Sequence, residues 1–137
     1  GIGVDMEAIA RFRTLDRTRE RDRRFLARAF TTEEIRSCDA HADPAPHLAA
    51  RWCAKEAVVK ALDGFGITGL AYADIAIAHA ASGRPTVSVR DLPQHLTIAL
   101  SMSHSATHAI AFVVIYDQGS TPTIHRAPRE FHRTSDR

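Results

Sequence analysis

The chain has 137 residues, 45% of them hydrophobic, which supports the core of one domain but not of several. No apolar run is long enough to cross a membrane and no signal-peptide pattern is present, so we expect a cytoplasmic protein without a membrane partner. The formal net charge is only +2, and the two cysteines, Cys38 and Cys53, are expected to remain free thiols.

Residues 1–7 alternate between apolar side chains and small or acidic ones, which predicts a strand with two different faces. One face is apolar, and the other carries glycines together with the carboxylates of Asp5 and Glu7. Two carboxylates on a face otherwise free of side chains suit a hard cation such as Mg²⁺, which also binds substrate phosphates and water. The alternative is that the strand simply ends in solvent.

Basic residues are concentrated in the next segment. Residues 11–28 contain eight arginines against three acids, which gives a local charge of +5. The apolar spacing around this segment predicts short amphipathic helices. Such a charge attracts an acidic partner, which could be nucleic acid, an acidic protein or a phosphorylated metabolite. The alternative is a solvated helix face on which arginines and acids alternate.

Two helices are predicted in the middle of the chain. Residues 31–34 (TTEE) predict a cap followed by acids in the first turn of the first helix, and the Asp-Pro-Ala-Pro sequence at residues 43–46 ends that helix. The second covers residues 50–62, contains no Gly or Pro, and stops at Gly64. Its apolar residues cover nearly the whole circumference, so we expect this central helix in the interior of the domain.

The charges of the central helix are informative because burying an ionised group costs several kcal/mol unless it is paired or binds a metal. Glu56 and Lys60 share one stripe of the helix, and Arg51 and Lys55 share another. Lys55 and Lys60 are the only lysines among 18 basic residues, which favours a need for a compact ammonium group, as in phosphate binding. The alternative is two ion pairs on a helix surface.

Short strands are predicted in the rest of the chain, with a turn at residues 82–85 and a hairpin closed by residues 105–107. The predicted strands cover residues 75–79, 86–90, 97–104 and 108–116. His104 ends one hairpin strand, where a histidine is ordinarily a boundary residue without a special role. Residues 117–137 are polar, contain prolines and lack periodicity, so we expect a flexible tail.

Three blocks of this sequence resemble the 4'-phosphopantetheinyl transferases of the small holo-acyl-carrier-protein synthase type. They are residues 1–5 (GIGVD), 50–61 (ARWCAKEAVVKA) and 100–105 (LSMSHS), the last followed by AIAFVV at 109–114. Their order and separations match the family over residues 1–116, which we take as one domain. The resemblance implies an α+β fold with a long central helix packed on a small antiparallel sheet, and a homotrimer with active sites between subunits.

The family transfers the 4'-phosphopantetheine arm of coenzyme A to a serine of an apo acyl carrier protein, in fatty acid or polyketide synthesis, and releases adenosine 3',5'-bisphosphate. The resemblance implies that Asp5 and Glu56 hold Mg²⁺ and that Lys60, the third catalytic residue, contacts the diphosphate. A metal-oriented water or Glu56 would take the serine proton. The coenzyme A-binding residues implied are Arg51, Lys55, Lys60, Gly64, Gly83, Arg84, Pro85, Ser103 and His104.

Two further predictions follow from the resemblance. Glu7 is not typical of the short synthases, but it recreates the Asp-x-Glu pattern of the larger surfactin-type transferases, so we predict it as a third Mg²⁺ ligand. Arg11, Arg21 and Arg24 correspond in position to the basic residues with which the family docks acidic carrier proteins.

Rival functions use the same residues. A Mg²⁺-dependent nuclease or phosphohydrolase would also need Asp5, Glu56 and a lysine, but the common nuclease arrangement places the lysine two residues after the acid, and Lys60 is four after Glu56. A nucleic-acid-binding module would use residues 11–28, but aromatics are only 7% of the chain and are not interleaved there, so we expect no nucleic-acid partner. A non-catalytic relative that binds coenzyme A is the third alternative.

Overall fold

A long helix packs on a small antiparallel sheet in the computed structural model of the chain, which describes residues 1–119. The helices are α1 (Ile9–Arg13), α2 (Glu20–Ala29), α3 (Thr32–Asp39) and α4 (Ala45–Asp63), with a 3₁₀ turn at Tyr72–Asp74. The strands are β1 (Ile2–Ala8), β2 (Ile75–His79), β3 (Pro85–Val89), β4 (Leu96–His104) and β5 (His108–Asp117). Strands β1, β5 and β4 form one sheet in that order, and β2 pairs with β3 separately. The predicted α+β class is confirmed.

Helix α4 is longer than predicted, because it begins at Ala45 within the Asp-Pro-Ala-Pro sequence. Pro44 is its N-cap residue and Pro46 lies in its first turn, where a missing backbone N–H removes no helical hydrogen bond. The sequence that was expected only to end the previous helix therefore also opens the central one. As predicted, α4 is buried on nearly every side, and it packs against β1 and β5.

Strand β1 meets α4 through its glycines. A Cβ atom at Gly3 would come within 1.8 Å of the carbonyl oxygen of Ala57, and one at Gly1 within 2.0 Å of that of Ala61. Strand and helix backbones therefore touch at positions where no side chain fits. The bare face predicted from the sequence is covered by the helix at the glycines, and Asp5 follows on the same face of the strand.

The opposite face of β1 is exposed to solvent. Ile2, Val4 and Met6 are 68%, 49% and 63% exposed, and Ile110 and Phe112 of β5 are exposed as well. The strand register places Val4 beside Phe112 and Met6 beside Ile110. These five side chains form what we call the outer apolar face. On the side that meets α4, β5 carries the buried residues Ala109, Ala111, Val113 and Ile115.

A buried ion pair joins α3 to α4. Glu34 Oε2 lies 2.7 Å from Lys55 Nζ, and both side chains are inaccessible to solvent. The same carboxylate forms a capping box with Thr31, which confirms the predicted cap, and its Oε1 accepts a hydrogen bond from the Ile77 amide of β2 at 2.7 Å. One acid thus connects three elements, and removing one partner of such a pair costs about 3–5 kcal/mol.

The remaining sequence predictions concern the thiols and the chain ends. Cys38 and Cys53 are buried free thiols, as expected. Within residues 1–119, none of the helices has the length and apolar character needed to cross a membrane. Strand β5 reaches Asp117, one residue beyond the predicted end of the domain. The predicted tail from residue 120 onward lies outside the described residues.

Replacing Gly3 with alanine should destabilise the protein by about 3 kcal/mol or more, because the new Cβ would overlap the backbone of α4. The matched control is Gly64→Ala, whose Cβ would lie 3.4 Å from the nearest atom and should change stability by less than about 0.5 kcal/mol. Urea unfolding followed by circular dichroism measures both. Equal unfolding midpoints for Gly3→Ala and the wild-type protein would contradict the packing described here.

Candidate active site

The ammonium group of Lys60 connects β1 to α4. Lys60 Nζ lies 2.8 Å from Asp5 Oδ1 and 3.0 Å from the carbonyl oxygen of Val4. The hydrogen bond to Asp5 raises the pKa of Lys60, so its positive charge is retained at neutral pH. The Lys60 side chain remains about half exposed. The structure therefore places an accessible cation directly beside the strand carboxylate.

The carboxylate of Glu56 is held by a tyrosine that the sequence analysis did not single out. The hydroxyl of Tyr72, in the 3₁₀ turn after α4, donates a hydrogen bond to Glu56 Oε1. This bond raises the pKa of Tyr72 to about 12, so the tyrosine is a donor throughout the neutral range. The backbone carbonyl of Tyr72 accepts a hydrogen bond from Lys55. Residues 64–74 follow no apolar pattern, so no sequence signal pointed to Tyr72.

Asp5 and Glu56 share one electrostatic environment. The negative charges of both residues raise the pKa of Lys60 and that of Tyr72. Mg²⁺ in enzymes is commonly held by one or two carboxylates and completes its octahedral shell with substrate phosphates and waters. A pair of carboxylates at an open strand–helix junction fits that requirement. Asp5 and Glu56 could hold such an ion, and their role as metal ligands stays a prediction.

The third predicted ligand, Glu7, is engaged elsewhere in the structure. Its Oε2 lies 2.7 Å from the guanidinium of Arg11, four residues later on α1. Within residues 1–119, no group of three or more His, Cys, Asp or Glu side chains is arranged to hold a metal ion. Burial raises the pKa of Cys53 on α4 to about 12, and the charges of Asp5 and Glu7 add to this effect, so Glu7 faces α4 together with Asp5. Glu7 as a metal ligand stays a prediction.

Lys55 and Arg51 lie inside the protein. Burial lowers the pKa of Lys55, and the ion pair with Glu34 opposes that effect. The two lysines of the chain therefore have different surroundings: Lys60 is open to a phosphate, whereas Lys55 holds α3 and the 3₁₀ turn against α4. Arg51, only 3% exposed, donates to the Ser37 hydroxyl and the His47 carbonyl. The geometry of Lys55 gives no support to a contact with coenzyme A.

The other predicted coenzyme A-binding residues are distributed over several elements. His104 is exposed at the end of β4, on the sheet face that meets α4, whereas Ser103 lies on the opposite face. Gly83 and Arg84 form the turn between β2 and β3, where Gly83 adopts a left-handed φ of 81°. Pro85 then begins β3. Gly64 ends α4, on the side of the helix that meets β1. Their contacts with coenzyme A stay predictions.

Two surface cavities that share Phe25 and Arg28 form a groove, which extends from the arginine-rich segment to Tyr72. A surface cavity of about 390 Å³ is lined by Arg11, Arg21, Phe25 and Arg28, among others. A second cavity of about 270 Å³ shares Phe25 and Arg28 and reaches Trp52 and Tyr72. Because Tyr72 binds Glu56, the apolar floor of the groove leads from basic side chains to the candidate active site. Arg24, the third predicted docking residue, is exposed beside Glu20 on α2.

The family model for the 4'-phosphopantetheinyl transferase superfamily matches residues 1–113. The chain belongs to this superfamily. It is 38% identical over 115 residues to a holo-[acyl-carrier-protein] synthase of Thermodesulfovibrio yellowstonii, a match that covers 84% of this chain and 96% of that relative. A solved holo-[acyl-carrier-protein] synthase of Helicobacter pylori in complex with coenzyme A superposes with a TM-score of 0.70 at 29% identity, over 85% of this chain and 100% of that one. The Neisseria meningitidis enzyme gives 0.69 at 30% identity, over 85% and 98%.

Three features of this phosphopantetheinyl transferase were missed from the sequence. Tyr72 comes from an irregular segment, and Glu34 is an acid in an otherwise polar first turn whose burial no pattern indicated. The aromatic floor of the groove was also missed: the rings of Phe25 and Trp52 lie 5.3 Å apart, and those of Trp52 and Tyr72 lie 4.8 Å apart. The two helices and the turn that supply these rings are distant in sequence.

Proposed function

We propose that this phosphopantetheinyl transferase is a holo-[acyl-carrier-protein] synthase, which transfers 4'-phosphopantetheine from coenzyme A to a serine of an apo acyl carrier protein. One observation carries the proposal: β1 and α4 bring Asp5, Glu56 and Lys60 to one junction, with Lys60 open to an anion. The names of the relatives given above support the same reaction. The proposal includes that the carrier protein serves fatty acid or polyketide synthesis and that this chain acts in the cytoplasm.

The reaction breaks the bond between the two phosphates of coenzyme A and forms one between the phosphopantetheine phosphorus and the serine oxygen. A Mg²⁺ ion held by Asp5 and Glu56 would neutralise charge on the diphosphate oxygens. Lys60 would donate hydrogen bonds to the same diphosphate, and Tyr72 would fix Glu56 through one carboxylate oxygen. Either a water oriented by the ion or Glu56 itself would take the proton of the attacking serine.

The groove between the arginines and Glu56 supports docking of an acidic carrier protein. Arg21 is 84% exposed in its side chain, and Arg24 is 72% exposed. Exposed arginines at the rim would attract an acidic surface by long-range steering. The aromatic floor would then accept an apolar side chain of the carrier next to the modified serine, because it is the part of the groove nearest Glu56.

The outer apolar face supports self-association. Five large apolar side chains on neighbouring strands are exposed in a single chain, and contiguous surfaces of this type commonly mark protein interfaces. Association through this face would lie directly behind Asp5, because Val4 and Met6 flank that residue on β1. We propose that copies of this chain associate through the outer apolar face. The family resemblance implies that three copies form the assembly.

The transfer reaction is tested by incubating the protein with Mg²⁺, coenzyme A and a panel of apo carrier proteins from fatty acid and polyketide synthesis. We expect the mass of phosphopantetheine to be added to at least one carrier. Asp5→Asn and Glu56→Gln should each lower kcat about 100-fold or more, because each removes charge placed at the diphosphate. Asp63→Asn, an exposed acid on the same helix, serves as the matched control. No mass addition to any carrier would contradict the proposal.

The docking surface is tested by charge reversal. Arg21→Glu combined with Arg24→Glu should raise the KM for the carrier protein about tenfold or more, because attraction of the acidic partner becomes repulsion. The KM for coenzyme A should stay unchanged. The matched control is Arg36→Glu, which reverses the charge of an exposed arginine on α3, outside the groove. Carrier kinetics identical to those of the wild-type protein would rule out these two arginines as the docking site.

Assembly is tested by size-exclusion chromatography with light scattering. The wild-type protein should have about three times the 15.1 kDa mass of one chain. Val4→Glu combined with Phe112→Glu should shift it to the mass of a single chain, because two charges would be buried in an apolar contact. Ser88→Glu on the exposed side of β3 controls for added charge. A wild-type protein that elutes as a single chain would refute self-association.

A further inference from the structure

One aromatic side chain contacts both the groove and a proposed catalytic acid. The ring of Tyr72 lines the cavity of about 270 Å³ together with Phe25 and Trp52, and its centroid lies 4.8 Å from that of Trp52. The hydroxyl at the far end of the same ring donates a hydrogen bond to Glu56 Oε1. Tyr72 therefore has two chemically different parts, and each of them contacts a different part of the proposed site.

The cavity does not explain why this ring carries a hydroxyl. A phenylalanine ring would extend the same apolar surface, because the cavity is also lined by Phe25, Ala29 and Trp52. Tyr72 is half-buried, and a hydroxyl withdrawn from water is ordinarily retained where it gains a hydrogen-bond partner. The partner here is a carboxylate, and hydrogen bonds to charged groups are the stronger kind. The hydroxyl is therefore explained by Glu56 and not by the cavity.

The hydroxyl of Tyr72 lies close to both proposed catalytic acids. The hydrogen bond to Glu56, burial and the charges of Glu56 and Asp5 together raise the pKa of Tyr72 to about 12. A tyrosine hydroxyl carries one hydrogen, and here that hydrogen is donated to Glu56. The hydroxyl therefore acts on the reaction through the Glu56 carboxylate, which makes Tyr72 a positioning residue and not a catalytic one.

The backbone that carries Tyr72 is fixed from two sides. Its carbonyl oxygen accepts a hydrogen bond from Lys55 Nζ at 2.9 Å, and this ammonium group lies 2.7 Å from the buried carboxylate of Glu34. On the other side, the Arg90 amide donates to the Asp74 carbonyl at 2.8 Å, and the side chains of these two residues form an ion pair at 3.0 Å. The surrounding elements therefore determine where the Tyr72 hydroxyl lies.

We propose that the two parts of Tyr72 serve separate steps: the hydroxyl orients Glu56 and sets the rate of transfer, whereas the ring contributes to binding of the carrier protein. The proposal rests on the proposed function, since it takes Glu56 to act in phosphopantetheine transfer. A carboxylate held through one oxygen does not rotate freely, and small misplacements of a catalytic group are costly in rate. Loss of the hydroxyl should therefore lower kcat, and loss of the ring should also raise the Kd for the carrier.

The test compares Tyr72→Phe, which removes only the hydroxyl, with Tyr72→Leu, which removes the ring as well. Transfer to an apo carrier protein gives kcat, and the fluorescence of Trp52, the one tryptophan of the chain, gives the Kd for the carrier without catalysis. Tyr72→Phe should lower kcat about tenfold and change Kd by less than about twofold. Tyr72→Leu should also raise Kd about tenfold. The control is Tyr116→Phe, at the exposed second tyrosine of the chain.

A double-mutant cycle with Glu56→Gln separates positioning from a general effect on the fold. In the Glu56→Gln background, Tyr72→Phe should lower kcat by less than about twofold, because the group that it orients is already lost. An equal loss in both backgrounds, or a wild-type kcat for Tyr72→Phe, would overturn the proposal, and Tyr72→Phe decides this even if Tyr72→Leu does not fold. Either result requires transfer by the wild-type protein, so it refutes this proposal alone. Absence of wild-type transfer to every carrier would refute the proposed function, and this proposal with it.

Discussion

The site depends on one steric constraint, the direct contact between the backbone of β1 and the backbone of α4. Gly1 and Gly3 leave no room for a side chain against the carbonyls of Ala61 and Ala57. The position of the strand along the helix and its rotation about its own axis are therefore fixed. Asp5 lies two residues beyond Gly3, and its Oδ1 is 2.8 Å from Lys60 Nζ. A site built on two regular elements in van der Waals contact is more rigid than one carried by loops.

Helix α4, against which this strand packs, also positions the other charged side chains discussed above. Lys55 pairs with Glu34 in the interior, and its second hydrogen bond fixes the backbone of Tyr72, whose hydroxyl then holds Glu56. A buried structural ion pair is in this way linked to the orientation of Glu56, the proposed catalytic acid of the helix. Arg51, one turn earlier, lacks such a partner within residues 1–119 and lies among histidines. Charges that share one apolar helix thus have separate roles, which their surroundings determine.

The periodicity of the sequence predicted the helices and strands well, but it did not predict which element packs against each of their faces. The alternation in residues 1–7 located β1 and set Asp5 apart from Val4, yet sequence alone could not show that the glycine face is the covered one and the apolar face the exposed one. The sequence also gave no indication of residues whose contacts are distant in the chain. Tyr72 lies in an irregular segment, and the stacked residues His41 and His47 lie on either side of the break between two helices. Such contacts depend on how the elements pack, which local patterns do not encode.

The central claim is that the strand acid and the helix acid hold one divalent ion beside the diphosphate of coenzyme A. A crystal structure of the protein with Mg²⁺ and coenzyme A tests this most directly. The account predicts oxygens of Asp5 and Glu56 bonded to the same ion, with Lys60 in contact with the diphosphate. An ion bound elsewhere, or a diphosphate remote from the junction of β1 and α4, would contradict it.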